Sequence, residues 1–362
     1  MTSPLVTGRL HCIVSVDWGD AVDLEHAARL AKAEVGELPR RPRTPATIAY
    51  RPPPLRFPLP PQSLPIEGLS APGEVEAVVF DFGAANIVFR IPFSLPLDEL
   101  LRLAPALAKP SWAADAAHSA TENLFRDLRP AIENPNRSSL YEEYFVFQIA
   151  PHDFFFARGG LASECAAELA PLLRLESAPL APEEIADALR CRISYGPRDV
   201  VLVDWSSAVV IDDDCDETLH TIEFANLQLL EYRFLDQKAD DALAAARKEI
   251  YFASRSRLPV WRTHTRPLRI LSEMRMDAVG TFERAGGALQ LVGDQYLARL
   301  YRLLADRFHL AEWAQNVRQA LEITEDVHKT LSEQGSMYRL ELLEITVILL
   351  ILIEIVMAFA GK

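Results

Sequence analysis

The chain lacks most of the signatures that announce a reaction. Its 362 residues hold no phosphate-binding loop, no G-x-G-x-x-G, no H-E-x-x-H and no G-x-S-x-G. That weighs against an enzyme without excluding one. Cysteine is scarce: Cys12, Cys165, Cys191 and Cys215 lie far apart with no C-x-x-C. This excludes a disulfide frame or a zinc site on pattern, and leaves four reduced, buried thiols as the expectation. Positive charge is also short, with 37 Lys and Arg against 51 Asp and Glu, a net charge of −14. A protein that coats nucleic acid needs the opposite balance. The N-terminus shows no basic stretch followed by an apolar one, so no signal peptide is read and the body is expected in the cytosol.

What the chain has is a hydrophobic content of 49%, ample for a core, and length for two domains. Five segments are expected. Residues 1–38 begin as strand (9–16) and helix (22–35). Residues 39–72 form a proline-rich linker or arm, since ten of the 25 prolines fall between Pro39 and Pro65. Residues 73–211 read as an α+β domain. Its strands are 75–82, 87–91, 144–149, 200–204 and 208–211. Its helices are 97–108, 112–132, 161–174 and 182–190. Residues 212–336 read as a helical hairpin or coiled coil, with Leu310, Trp313, Val317, Ala320, Thr324, Val327 and Leu331 at spacings of three and four. Its antiparallel partner is the 218–250 helix or the same segment of another copy.

Residues 337–362 complete the predicted α+β fold with one C-terminal transmembrane helix. Ile345 to Ala360 is almost unbroken apolar sequence. Its five Ile, three Leu, two Val and one Phe contribute roughly −3 to −7 kcal/mol to insertion, against about 2.5–3.5 kcal/mol for a central charged Glu354. Glu344, Ile345, Leu349, Leu352, Glu354 and Phe359 are the expected anchor residues. A helix buried in a coiled coil, or one lying in the interface, is the alternative. The expectation is a single span with the bulk of the chain cytosolic.

Three short segments repeat one pattern of apolar, Asp, aromatic and small: Val16-Asp17-Trp18-Gly19, Phe80-Asp81-Phe82-Gly83 and Val203-Asp204-Trp205-Ser206. The plain reading is turn chemistry at strand ends. The sharper one gathers three aspartates around a cation. The run Asp212-Asp213-Asp214-Cys215-Asp216-Glu217 poses the same choice. Asp212, Asp214, Asp216 and Glu223 fit positions 1, 3, 5 and 12 of a calcium loop, but Glu217 stands where that loop requires glycine. Acidic residues at a helix start are the simpler account. The helix from Thr221 to Asp236 carries Glu223, Asn226, Glu231 and Arg233, which need partners within a bundle. His152-Asp153 resembles a base with its orienting acid, but no nucleophile stands near it in sequence.

Between Arg247 and Arg275 lie eight cations: Arg247, Lys248, Arg255, Arg257, Arg262, Arg266, Arg269 and Arg275. Only two acids accompany them, and Tyr251, Phe252 and Trp261 are interleaved. RNA or anionic lipid heads would suit this segment, as would acidic neighbours within the protein.

The tail, Glu344, the apolar run 345–353, then Glu354-Ile355-Val356, resembles the end of the "required for meiotic nuclear division" family, also called domain of unknown function 155. Leu300-Tyr301, Trp313 and Leu321 extend the resemblance over 295–357, and Phe80-Asp81-Phe82-Gly83 resembles the family's aromatic–Gly strand motif. The resemblance implies a membrane-associated homo-oligomer with a link to translation, and carries no catalytic residues. The Ala-, Arg- and Pro-rich composition fits a bacterial member in the inner membrane. The combined expectation is a non-enzymatic, oligomerising membrane scaffold without a cofactor. It would tether an RNA- or ribosome-containing assembly to the lipid bilayer, with no small-molecule substrate identified. The alternative is a membrane-bound metal-dependent enzyme using Asp204, Asp212, Asp214, Asp216 and Glu223.

Overall fold

The computed structural model describes residues 3–31, 34–35, 52–66, 68–69, 71–109, 112–157, 160–254, 269, 271–272 and 295–360. In chain order these form β1 (Leu5–Asp17), β2 (Ala21–Val22), α1 (Leu24–Ala31), β3 (Glu34–Val35), β4 (Leu55–Gln62), β5 (Gly73–Val79) and β6 (Ala84–Pro96). Next come α2 (Leu97–Leu107), α3 (Trp112–Leu128), β7 (Ile132–Glu133), β8 (Tyr141–Ile149), β9 (Phe156–Ala157) and β10 (Gly160–Leu161). The chain continues with α4 (Ser163–Arg174), α5 (Pro182–Ala188), β11 (Arg192–Ile193), β12 (Val200–Val203) and β13 (Ser207–Ile211). Three further helices follow: α6 (Asp216–Ser254), α7 (Gln295–Arg307) and α8 (Leu310–Ala360).

A nine-stranded sheet in the order β11-β12-β13-β8-β1-β6-β5-β4-β3 organises the first unit, Met1–Glu231 with Glu283–Ala311. Neighbours pair antiparallel except β13 with β8, which is parallel because α4 and α5 carry the chain back across one face. The strand β1 lies near the centre, so the first strand and the 73–211 segment share one sheet. Its even positions Leu10, Cys12, Val14 and Val16 join Ile87, Phe89, Ile91, Phe145 and Phe147 in a single core under α1, α2, α3 and α4. The odd positions His11, Ile13 and Ser15 are buried on the opposite face, where Leu227 and Leu230 of α6 pack on Val78 and Phe80. Both faces are covered, which is why these strands read as continuous apolar runs.

Part of the proline-rich stretch is strand. Among the described residues β3 pairs only Leu55 and Arg56 of β4, and Pro60 and Pro61 fall in the register irregularity between Leu59 and Gln62 of the β4–β5 pair, where no ladder N–H is required of them.

The first two copies of the Asp–aromatic–small pattern pack against each other. Trp18 donates its amide to the Gly83 carbonyl at 2.9 Å, and Val22 donates to the Asp81 carbonyl at 2.8 Å. Gly83 has φ +93°, and a Cβ there would sit 1.8 Å from the Gly19 carbonyl oxygen. Among the described residues no set of three or more His, Cys, Asp or Glu side chains is grouped to hold a metal ion.

The second unit comprises Tyr232–Phe282 and Glu312–Lys362. Its heptad seam is internal: Val317 and Thr324 are buried, and Arg233 stands over the Trp313 ring at 6.0 Å. The end of α8 is different. Twelve large apolar side chains from Leu343 to Met357 are between 46% and 71% exposed.

One central expectation is corrected here. Among the described residues no helix is long and apolar enough to cross a membrane. The stretch whose side chains are described, 343–357, rises about 22 Å, against a hydrocarbon core of about 30 Å. It also carries Glu344 and Glu354. The C-terminal transmembrane helix, the anchor role of Glu344, Ile345, Leu349, Leu352 and Glu354, and the inner-membrane placement are withdrawn. The side chain of Phe359 lies outside the described residues.

Candidate functional site: an arginine cleft beside a buried ion lock

The third copy of the pattern is the one that builds a site. Asp204, in the turn between β12 and β13, is fully buried, and its carboxylate receives the Trp205 amide at 2.8 Å. Two arginines close on it. Arg174, the last residue of α4, reaches it at 3.2 Å, and Arg307, the last residue of α7, donates from Nε at 2.8 Å and from its second terminal nitrogen. Their side chains are 3% and 8% exposed. Asp187 of α5 takes the outer side of both guanidinium groups, at 2.8 Å and 2.9 Å. The indole of Trp205 lies over both cations, 4.2 Å from Arg174 and 5.4 Å from Arg307.

Electrostatics follow from this geometry. Hydrogen bonds from Arg307 and Arg174 hold the Asp187 carboxyl below the usual range. Burial alone would lower Arg307, but Asp187 and Asp204 push it above its ordinary value. Tyr144 lies beneath, its hydroxyl 2.8 Å from the Asp204 carbonyl and 2.7 Å from that of Ser207. Burial raises its pKa, reinforced by Asp204. The result is a neutral, four-part lock tying together α4, α5, α7 and the β12–β13 turn.

A cleft of about 390 Å³ opens beside the lock, lined by Arg190, Cys191, Arg299, Arg302, Leu303 and Asp306. Arg190 lies 3.4 Å from Asp187, which links cleft and lock. The other three cysteines are buried, and all four are free thiols. Burial raises the Cys215 thiol to about 12.

A second polar cluster sits where α6 crosses the sheet. Asn226 donates to Ser15 Oγ at 2.8 Å, Ser15 donates to Asn86 at 2.7 Å, and Asn86 donates to the Glu223 carbonyl at 3.2 Å. Arg56 and Arg90 share Glu76 at 2.9 Å and 2.8 Å. Asn226 and the Glu223 carbonyl therefore meet the sheet, whereas Arg233 of the same helix lies over the Trp313 ring of α8. Burial raises the Glu223 carboxyl to about 7, against the opposing pull of Arg90 and Arg56. Burial lowers His220 to about 3, helped by the same arginines.

Glu223 has a consequence for stability. Between its ordinary 4.5 and about 7, the folded chain keeps a proton that the unfolded chain has released. Its contribution is complete below the ordinary value and is lost as pH rises through about 7. Glu223→Gln is expected to stabilise the fold by on the order of 1–3 kcal/mol near pH 8 and by much less near pH 5. Urea unfolding at the two pH values measures both, and an equal effect at each would refute the buried proton.

The other residues singled out from sequence are scattered. Asp212 receives the Asp214 amide at 3.1 Å in a turn, and Asp216 opens α6. Asp213, Asp214 and Asp216 are exposed. His152 Nδ1 receives the Phe154 amide at 3.0 Å, while Asp153 pairs with Arg198 at 2.8 Å. These two contacts are local turn chemistry and a surface ion pair. Arg247, Lys248 and Arg269 are exposed. Arg255, Arg257, Arg262 and Arg266 lie outside the described residues. Neither Arg174 nor Arg307 was marked by any sequence signal.

Residues 7–217 match the family model described as "Uncharacterized protein MJ0711, N-terminal domain", and the chain belongs to that family. One relative is the uncharacterized protein MJ0711 of Methanocaldococcus jannaschii. It is 26% identical over 245 residues, covering 66% of this chain and 72% of the relative. No solved structure matches. The resemblance to the meiotic nuclear division family is thereby corrected. It rested mainly on 295–357, a stretch that the family match does not reach, and on Phe80-Asp81-Phe82-Gly83, which falls inside the match to the other family.

Proposed function

We propose that the protein is a non-enzymatic, oligomerising scaffold whose copies associate through the C-terminal part of α8. The observation that carries this reading is the run of exposed apolar side chains from Leu343 to Met357. Single exposed apolar residues are ordinary on a monomer, but a contiguous surface of this kind marks an interaction site. The occupant is a second copy of the chain. The run is apolar around the whole helix rather than along one stripe, as in helices surrounded by other helices. In the preceding seam Val317 and Thr324 are buried, whereas the run from Leu343 to Met357 is not, and helices of another copy would cover it. Every copy brings an identical run at the same position along α8, which lets like helices align.

The test is the solution mass of the full chain and of Leu349→Glu with Leu352→Glu, by size exclusion with light scattering. The intact chain is expected to be oligomeric and the variant monomeric, with unchanged helix content. A monomeric intact chain whose apolar run is satisfied only by added detergent would contradict the proposal.

A further inference from the structure

We infer that the cleft between the start of β11 and α7 binds the phosphate of a nucleotide, either free or within an RNA strand. Three arginines line it from two separate segments, Arg190 from one and Arg299 and Arg302 of α7 from the other, against the single carboxylate of Asp306 among the lining residues. This is a local formal charge of +2 (three Arg minus one Asp) in a chain of −14. Ordinary pairing does not account for it. Among the described residues Arg299 and Arg302 form no ion pair, and Arg302 spends its Nε on the Ala298 carbonyl of its own helix at 3.1 Å. The acid paired with Arg190, Asp187, is engaged by Arg174 and Arg307 at shorter distances than its 3.4 Å to Arg190. Like charges in excess of their neutralising partners make a site for an anion, and arginine forks match phosphate oxygens in pairs.

Size and surroundings narrow the ligand. A volume of about 390 Å³ lies in the range of small-molecule sites, roughly 300–1,000 Å³. Aromatic rings stand on α7 and on neighbouring segments, outside the residues that line the cleft. Tyr195 is 79% exposed and lies edge-on to Tyr296, whose centroid is 5.7 Å away and which precedes Arg299 by one helical turn. Trp205 is 58% exposed and lies over the guanidinium groups of the lock. Cations beside open aromatic faces are the arrangement that receives phosphate and stacks a base. The platform is rigid because the lock fixes the C-terminal end of α7, which carries two of the three arginines.

Fluorescence anisotropy of the full chain with a short fluorescein-labelled oligouridine tests this, with unlabelled uridine monophosphate as competitor. Arg299→Glu with Arg302→Glu is expected to weaken binding about tenfold or more, since one lost charge-assisted bond is worth that much. Tyr195→Ala is expected to weaken it several-fold by removing a stacking face. Arg247→Glu with Lys248→Glu, on the exposed surface of α6, serves as the control and should change it little. Displacement by the monophosphate assigns the site to free nucleotide, and its absence assigns it to the strand. Failure of the intact chain to bind either probe at low salt, or equal weakening by the α6 control, would overturn the inference. The proposal is independent of self-association: the monomeric Leu349→Glu, Leu352→Glu variant should bind as the intact chain does.

Discussion

Replacing Asp204 by alanine is expected to cost about 3 kcal/mol or more of folding stability, the largest effect of any single charge removed. The carboxylate is fully buried and two guanidinium groups, 3% and 8% exposed, depend on it. Removing one member of a buried ion cluster leaves the others uncompensated at about 3–5 kcal/mol. Asp187 remains to take part of that charge, which favours the lower end. The loss should appear in urea unfolding and should free Trp205, changing its fluorescence. Asp204→Asn keeps an acceptor for the Trp205 amide and should cost less than alanine. A loss under about 1 kcal/mol, in the range of exposed pairs, would show that the lock is not what fastens α7.

Gly83→Ala is expected to destabilise by about 3 kcal/mol or more for a reason that involves no charge. The backbone there has φ +93°, and the added Cβ would meet the Gly19 carbonyl oxygen at 1.8 Å. Both obstacles are backbone, so no rotamer change relieves them. The same peptide unit accepts the Trp18 amide, and Trp18 is 1% exposed in the main core. Gly196→Ala is the control: its Cβ would meet only the movable Asp199 carboxylate at 2.9 Å, for a cost of about 1 kcal/mol or less. Equal thermal unfolding of the two variants would contradict the proposed clash.

Most of the sheet was legible because its strands are apolar on both faces. The strands expected at 9–16, 144–149, 200–204 and 208–211 stand as Leu5–Asp17, Tyr141–Ile149, Val200–Val203 and Ser207–Ile211. The β4 strand was not legible, because its three prolines argue against a central strand. The pairing of the first two Asp–aromatic–Gly turns was equally hidden, since it joins residues more than sixty positions apart.

The site was half legible. Asp204 was visible as a member of a repeat, but its partners lie 30 and 103 positions away, at Arg174 and Arg307. Ion pairs over such distances leave no periodicity. The cleft arginines escaped notice for the opposite reason. Arg190, Arg299 and Arg302 sit in segments of mixed charge, whereas the conspicuous run from Arg247 to Arg275 concentrates its cations in sequence. Only folding brings the first set together. The tail misled for a third reason: hydropathy describes composition, and the same apolar helix suits a bilayer or a bundle.

The apolar end of α8 is the surface that other copies are proposed to cover. Sedimentation equilibrium of the full chain over a wide concentration range tests that most directly. A mass that is a multiple of 40.5 kDa, and that falls to the single-chain value on dilution or on substitution of Leu349 and Leu352, is the expected result. A single-chain mass at every concentration, unchanged by those substitutions, would contradict it.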